Sequence, residues 1–320
     1  MVCTKYFEIV GNVIESEIQG LISERNQKRR SIINEIAKHA KKMHDKYYDP
    51  AKPRNEFREP CCRIAYLYKY VTVNARAIEH IFYNSRELKK RILRIQKEKG
   101  EVGVCALGGG PGTELLGLSK WVERESLRED EFKIKFDFVN FDRVKQWGTS
   151  WKYMKNKIRD RFRKKFGISD IDWPFRCEGD FYPLDVDETQ DYSNLAPYFS
   201  DDIYIISYFI SEIYEISKNF RNLFNKIVSY APDRSKFIFI ERGETRWQPV
   251  IEGLANSANI SIEGPFEKPD GRIPKRDGIS ENKRDLGPIL DELESYHQSP
   301  CTTWNAFHYI GTKMELTSFI

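Results

Sequence analysis

The sequence predicts an α/β protein in which a mostly parallel sheet carries helices on both faces and follows a helical N-terminal segment. Three observations lead to this fold class. Short apolar strands alternate with helical patterns from about residue 100 onwards, a glycine-rich turn follows the first strand, and the residues before it show helical spacing alone. We therefore predict an N-terminal helical, basic domain over residues 1–95 and a sheet domain over residues 96–320.

The helical domain contains two stretches with apolar residues at helical intervals, one within 1–47 and one from about 61 to 97. Three prolines between them indicate an irregular connection. Three tyrosines of the second stretch allow two interpretations. They stack on nucleic-acid bases or, as is commoner at this spacing, pack against the sheet domain: Tyr66, Tyr68 and Tyr70.

Seven strands are predicted in the sheet domain, near 102–107, 133–141, 174–178, 203–208, 236–241, 259–263 and 305–314. Because helical patterns separate the first five, these strands are expected to be parallel. The last two are expected to pair as a hairpin-like end. Between them lies a long polar insertion, residues 265–288, which is expected to be a lid or a flexible loop.

A glycine-rich turn lies directly after the first strand: Leu107-Gly108-Gly109-Gly110-Pro111-Gly112-Thr113-Glu114. Glycines permit positive φ and let a ligand lie against the backbone. The helix that follows presents unpaired N–H groups at its start. Neither a G-x-G-x-x-G fingerprint nor a Gly-Lys-Ser/Thr phosphate loop is present. The turn therefore suits a nucleoside without a pyrophosphate, and tight packing of strand against helix is the alternative explanation.

The second strand ends on Asp142. A carboxylate in this position hydrogen-bonds ribose hydroxyls in nucleotide-binding α/β sheets. Asp142 is thus a second candidate ligand residue, in the order along the chain that a nucleoside site requires.

Together these residues resemble the class I S-adenosylmethionine-dependent methyltransferases over about residues 95–320. The glycine turn is similar to their motif I, Asp142 to their ribose-binding acid, and Glu178-Gly179-Asp180-Phe181 to the motif whose acid and apolar residue meet adenine. The resemblance implies a Rossmann-like fold, an enzyme that uses S-adenosyl-L-methionine, and a cofactor-binding set: Leu107, Gly108, Gly109, Gly110, Pro111, Gly112, Thr113, Glu114, Asp142, Asp180 and Phe181.

The methyl acceptor is expected next to the loop after the fourth strand, Ser207-Tyr208-Phe209-Ile210-Ser211-Glu212. This loop lacks the Asn/Asp-Pro-Pro-aromatic pattern that holds an exocyclic amine and the cysteine needed to methylate a pyrimidine carbon. Direct transfer to a nitrogen or oxygen is therefore expected. Tyr208 or Glu212 would accept a proton or orient a ring nitrogen beside Ser207. The alternative is that Tyr208 packs and Glu212 pairs with a helix end.

Charge along the chain favours RNA as the substrate. Residues 1–100 hold 22 Lys and Arg against 12 Asp and Glu, and residues 143–165 hold ten against Asp160 alone. Basic regions on an otherwise acidic body indicate a polyanionic partner, although charged residues also simply solvate helices. Six basic residues, too closely spaced to share one helical face, are expected to contact RNA: Lys152, Lys155, Lys157, Arg159, Arg161 and Arg163.

A narrower resemblance links residues 207–213 and 239–244 to methyltransferase-like proteins that assemble the mitochondrial ribosomal small subunit, which implies ribosomal RNA. Their cysteine cluster has no counterpart here, so no metal is expected. The alternatives are a catalytically silent RNA-binding or ribosome-assembly factor that retains the cofactor pocket, and a methyltransferase acting on a protein or small molecule. The sequence does not identify a protein partner.

Composition indicates an intracellular protein of the cytoplasm or nucleus rather than a secreted one. No apolar run reaches the length of a membrane span, and the N-terminus lacks a signal-like apolar core. The six cysteines include no C-x-x-C pair, which argues against a disulfide framework or a structural zinc site. We therefore expect neither a membrane nor a structural metal among its partners.

Overall fold

The computed structural model describes residues 5–47, 56–127, 134–167, 174–176, 181–185, 199–212, 218–267, 282–302 and 306–315. The described residues before residue 100 are mostly helical, which confirms both predicted helical stretches. They are α1 (Tyr6–Arg25), α2 (Arg29–Tyr47), α3 (Pro60–Tyr66), α4 (Thr72–Asn84) and α5 (Arg86–Lys99), with a π-helical turn, Leu67–Val71, between α3 and α4. No helix in these ranges is long and apolar enough to cross a bilayer.

Strands and helices then alternate along the chain, as predicted. The elements are β1 (Val102–Leu107), α6 (Thr113–Ser126), β2 (Phe136–Asp142), α7 (Trp147–Phe166), β3 (Phe175–Arg176), β4 (Phe181–Pro183), β5 (Ile203–Ser207), α8 (Lys218–Tyr230), β6 (Lys236–Arg242), α9 (Gln248–Ser257), β7 (Ile260–Glu267), α10 (Pro288–Glu294) and β8 (Ala306–Lys313).

The sheet has the order β3-β2-β1-β5-β6-β8-β7, and β4 also pairs with β2. Because β3 pairs with the start of β2 and β4 with its end, these two short strands share one edge position, so the sheet has seven positions. Strand β8 runs antiparallel to both β6 and β7, whereas the other pairs are parallel. The predicted Rossmann-like, mostly parallel sheet is confirmed.

Two predicted boundaries need correction near the polar insertion. Strand β7 continues to Glu267 rather than ending near residue 263, because it stays paired with β8 across a bulge between Glu263 and Phe266. At the other end of the predicted insertion, a 3₁₀ turn covers Lys283–Leu286, and α10 begins at Pro288. The insertion is therefore shorter than predicted, and residues 268–281 lie outside the described ranges.

Two hydrophobic cores cover the two faces of the sheet. One joins the N-terminal helices, α6 and α7 to one face, and the other joins α8 and α9 to the opposite face. Helices α4 and α6 approach so closely that a Cβ on Gly117 would lie 2.5 Å from the Cβ of Ile78. A polar contact links α1 to α4: Tyr6 donates a hydrogen bond of 2.8 Å to Glu79. The helices thus lie directly on the sheet, and the domain boundary at residue 95 stays a prediction.

Candidate active site

The glycine turn after β1 is tied to the end of β2, since the N–H groups of Gly108 and Gly109 both donate to the carbonyl of Phe141, at 2.7 and 3.2 Å. Packing accounts for three glycines of this turn. A Cβ would lie 2.3 Å from the Phe209 ring at Gly108, 2.2 Å from Asn140 Oδ1 at Gly109 and 2.7 Å from the Trp151 ring at Gly112. The packing explanation weighed from the sequence therefore holds at these positions.

Gly110 differs from its neighbours. Its φ is +48°, and a Cβ there would come no nearer than 3.7 Å to Trp147 and 3.8 Å to Asp142 Oδ2. These are ordinary contact distances, so a Cβ would fit here without displacing a neighbour. Among the four glycines of the turn, Gly110 is therefore the one that is explained by its positive φ and not by close packing.

Asp142 lies beside Gly110, at the carboxyl end of β2. Its Oδ2 accepts the N–H of Gly110 at 3.1 Å, and its Oδ1 accepts the N–H of Val144 at 2.8 Å. Burial raises the pKa of this carboxyl group to about 6, against the opposing effect of the two N–H donors. Each carboxylate oxygen has a second lone pair, so Asp142 can hold the turn and still accept a ligand hydroxyl.

Glu114, the last residue of the motif I segment, is buried with 2% of its surface exposed. Ser207 at the end of β5 donates a hydrogen bond to its Oε1. Its Oε2 has no hydrogen-bond partner among the described residues and no contact with solvent. Burial raises the pKa of Glu114 to about 7, and the Ser207 hydrogen bond acts in the opposite direction. A buried acid that titrates near neutrality is typical of functional sites.

The loop after β5 brings the three predicted acceptor residues to one sheet edge. Tyr208 has a φ of +54°, which is strained for a residue with a side chain, and its N–H donates to Ile240 on β6 at 2.7 Å. Glu212 forms an ion pair of 3.5 Å with Arg242 at the end of β6. Glu212 thus pairs with a strand end, not with the helix end that the alternative envisaged.

An aromatic cluster joins the N-terminal helical segment to the start of α7. We define it as Phe57, Tyr66, Tyr70 and Trp147. Tyr66 lies at the centre, with ring centroids 5.4 Å from Phe57, 5.7 Å from Tyr70 and 5.7 Å from Trp147. Trp147 is also the ring next to Gly110. The sequence leaves two interpretations of Tyr66, stacking on bases or packing against the sheet domain. Its spacing of four residues from Tyr70 does not indicate that Tyr66 lies near the glycine turn.

The structure describes only one of the two residues that are predicted to contact adenine. Asp180 lies outside the described residues. Phe181 begins β4, is half-buried, and lies against the start of α7, where a Cβ on Gly148 would be 3.4 Å from its ring. Phe181 is therefore near the carboxyl end of β2, to which β4 is paired.

The six basic residues predicted to contact RNA lie on two flanks of α7, either side of its buried apolar stripe. One flank, at intervals of three and four residues, carries Lys152, Lys155, Arg159 and Arg163. The other carries Lys157 and Arg161 and faces α1, where Arg161 forms an ion pair of 3.4 Å with Glu8. Helix α1 thus covers part of the second flank.

A group of possible metal ligands lies apart from this site. The ligand atoms of Glu35, Glu59 and Cys61 fall within 4.8 Å of one another. Arg25 forms ion pairs with both carboxylates, of 3.0 Å to Glu35 and 2.7 Å to Glu59. The guanidinium therefore balances the charge that a cation would otherwise neutralise.

The sequence matches no known family profile and no curated protein. Solved structures match in fold. An O-methyltransferase family protein from Burkholderia thailandensis is 11% identical, with 89% of this chain and 73% of that chain covered and a TM-score of 0.48. A provisionally assigned class I S-adenosylmethionine-dependent methyltransferase from Listeria monocytogenes is 12% identical, with coverages of 98% and 89% and a TM-score of 0.45.

A provisionally assigned RNA methyltransferase from Pyrococcus horikoshii is 13% identical, with 78% of this chain and 88% of that chain covered and a TM-score of 0.36. All three structures are described as methyltransferases, and similarity at this level does not extend to activity or substrate.

Proposed function

We propose that the protein is an S-adenosylmethionine-dependent methyltransferase that acts on RNA by direct transfer to a nitrogen or oxygen. The observation that carries this proposal is the hydrogen bond from the Gly110 N–H of the glycine turn to the Asp142 carboxylate, whose oxygens keep lone pairs for a ligand. This pair lies at the carboxyl ends of β1 and β2, the edge at which open α/β sheets bind their ligands.

The residues present fit the cofactor. Gly110 would let its amino-acid or ribose part approach the backbone, Asp142 would accept its ribose hydroxyls, and Phe181 would pack against its adenine. When bound, the cofactor supplies a methyl group that is already activated as a sulfonium. The residues of the chain then have three tasks: they align the acceptor, exclude water and remove the proton of the acceptor.

Polar groups for these tasks lie at the carboxyl ends of β5 and β6. Ser207 and Tyr208 border the turn through Glu114 and Phe209, and the half-buried Glu212 offers a carboxylate within the same loop. Glu212 is the residue we assign to accept the proton, since a positioned carboxylate serves as a general base. Tyr208 would orient the acceptor beside it.

The substrate class rests on α7, which begins five residues after Asp142 at the same sheet edge. Its flank of Lys152, Lys155, Arg159 and Arg163 would contact phosphates and hold the strand without reading its sequence. The short resemblance to ribosome-assembly methyltransferases makes ribosomal RNA the first class to test.

Calorimetry with S-adenosylhomocysteine tests cofactor binding. Gly110→Arg places a long side chain between Trp147 and the Asp142 carboxylate, and Asp142→Ala removes the carboxylate and leaves the Gly110 N–H without its acceptor. Each variant is expected to weaken binding about tenfold or more, since an unpaired buried donor costs about 1–3 kcal/mol. Affinity that is unchanged in both variants contradicts the site.

Transfer of labelled methyl from S-adenosylmethionine to total cellular RNA, with and without ribonuclease, tests the substrate. We expect label in material that the nuclease degrades. Label that survives nuclease treatment assigns a protein or small-molecule substrate. Cofactor binding without transfer to any of these fractions indicates a binding or assembly factor and contradicts the enzymatic part of the proposal.

A further inference from the structure

The helical part of the chain reaches the candidate active site through the aromatic cluster, at whose centre Tyr66 lies. Helices α3 and α4 form a continuous helical segment that is interrupted by the π-helical turn Leu67–Val71 directly after Tyr66. Single π-helical turns within α-helices occur frequently at functional sites. Inside this turn Leu67, Tyr68 and Val71 are buried at 0–1% exposure, whereas Tyr66 is half-buried beside the sheet edge.

The ring of Tyr66 is held firmly. It makes an edge-on contact with Phe57, at 80° between ring planes, and tilted contacts with Tyr70 and Trp147. Trp147 in turn lies next to Gly110. Aromatic pairs at these distances stabilise a fixed ring orientation. The cluster therefore fixes the Tyr66 ring beside Trp147, which adjoins the glycine turn, without using the Tyr66 hydroxyl group.

The hydroxyl group of Tyr66 keeps hydrogen-bonding capacity for a ligand. It accepts one long hydrogen bond, of 3.4 Å, from Asn74, and its own proton has no acceptor among the residues that the structure describes. The oxygen also has a second lone pair, so the hydroxyl can donate to or accept from a bound group. Burial raises the pKa of Tyr66, and the nearby charges of Glu114 and Glu212 raise it further.

We propose that Tyr66 lines the acceptor side of the active site and hydrogen-bonds the group that stands at the transferred methyl position. This inference rests on the proposed function, because it assigns a partner to the acceptor within that site. By this inference the N-terminal helices are part of the site, because they supply a polar group to it as well as apolar packing.

Binding of two cofactor analogues tests the inference without knowledge of the RNA. Sinefungin carries an amine where S-adenosylmethionine carries its methylsulfonium, whereas S-adenosylhomocysteine has no substituent there. A Tyr66 hydroxyl at that position accepts a hydrogen bond from the amine. We expect wild type to prefer sinefungin, and Tyr66→Phe to reduce this preference about tenfold, the value of one hydrogen bond to a charged group.

S-adenosylhomocysteine affinity and melting temperature are expected to be the same in Tyr66→Phe and wild type, because the ring stays in its cluster. Tyr230→Phe is the control, since Tyr230 is an exposed tyrosine at the end of α8. A wild type without preference for sinefungin, or a preference unchanged in Tyr66→Phe, overturns the inference while leaving the proposed function intact. Failure of wild type to bind either analogue overturns both.

Methyl transfer to total cellular RNA provides a second readout. Tyr66→Phe is expected to lower kcat and leave KM for S-adenosylmethionine unchanged, as expected when an interaction of the transition state is removed. A raised KM with unchanged kcat would instead assign Tyr66 to cofactor binding and contradict its place on the acceptor side.

Discussion

Glu114 follows the glycine turn in the chain, yet its carboxyl group lies at the end of β5, where Ser207 donates to it. Of the two carboxyl oxygens of Glu114, one accepts this hydrogen bond and the other is buried without a partner among the described residues. Burial raises the pKa of Glu114 to about 7. The folded state therefore binds this proton more tightly than the unfolded chain does. The stability that results is present below the unfolded pKa and is lost as the pH rises through about 7.

Replacement of Glu114 tests this linkage. Between pH 5 and pH 8 the wild-type group is expected to remove about 2–3 kcal/mol from the free energy of unfolding, and Glu114→Gln should not show this loss. Urea unfolding at both pH values measures the difference. Glu98→Gln, at an exposed position of α5, serves as control. Equal pH dependence of Glu114→Gln and wild type would show that Glu114 is not buried as an acid.

Asp142 should make ligand binding depend on pH in the opposite sense. Its carboxylate is the form that accepts ribose hydroxyls, and its pKa lies at about 6. Affinity for S-adenosylhomocysteine is therefore expected to fall as the pH drops below 6. In Asp142→Asn the affinity should be weak and nearly independent of pH. Calorimetry from pH 5 to pH 8 measures both, and a wild-type affinity that is flat across this range argues against the assignment.

Tyr208 and Glu212 test the acceptor loop. Tyr208→Phe and Glu212→Gln should lower kcat for RNA methylation and leave cofactor affinity nearly intact, because their contacts form with the acceptor. Arg242→Gln is an informative comparison for Glu212, since it removes the ion-pair partner and keeps the carboxylate. If both loop variants methylate RNA at the wild-type rate, the acceptor lies elsewhere.

At the scale of single elements, α7 has two basic flanks with different surroundings. Its buried stripe of Trp147, Trp151, Met154, Ile158 and Phe162 packs against the core. One flank is partly covered by α1 through the Arg161–Glu8 pair. The flank with Lys155, Arg159 and Arg163 is the one on which the RNA proposal depends.

Substitution of that flank should change the salt dependence of RNA binding. The triple variant Lys155, Arg159 and Arg163→Ala is expected to flatten the plot of log affinity against log salt by about one unit per lost phosphate contact. The control removes equal charge from α5, near the opposite sheet edge, with Lys90, Arg94 and Lys97→Ala. Equal slopes for the α7 variant and wild type contradict binding on this flank.

For the whole molecule, the shared core predicts one cooperative unfolding transition. Ile14 on α1 is fully buried in the core that also contains β1 residues. Ile14→Ala is expected to destabilise the whole protein by about 2–5 kcal/mol. Near- and far-ultraviolet circular dichroism should give coincident transitions in wild type and variant. A separate early transition confined to helical signal would support independent folding of residues 1–95.

Local patterns in the sequence were enough to predict the strand–turn–helix unit around Gly110, the acid at the end of β2 and the alternating order of the sheet. Each depends on residues close together in the chain: glycines in a turn, a run of β-branched and aromatic residues, and apolar positions at helical intervals. The missed end of β7 depends on pairing with β8 across a bulge, which no local pattern specifies.

Contacts between distant segments could not be predicted in this way. Ser207 meets Glu114 across 93 positions, Tyr66 at the end of α3 contacts Trp147 at the start of α7, and α1 covers one flank of α7. Such pairs follow from which faces of the elements pack together, and many packings satisfy the same apolar pattern. The glycine turn thus depends on neighbouring residues, whereas the surroundings of Ser207 and Tyr66 are assembled by folding from helix and strand ends far apart in the chain.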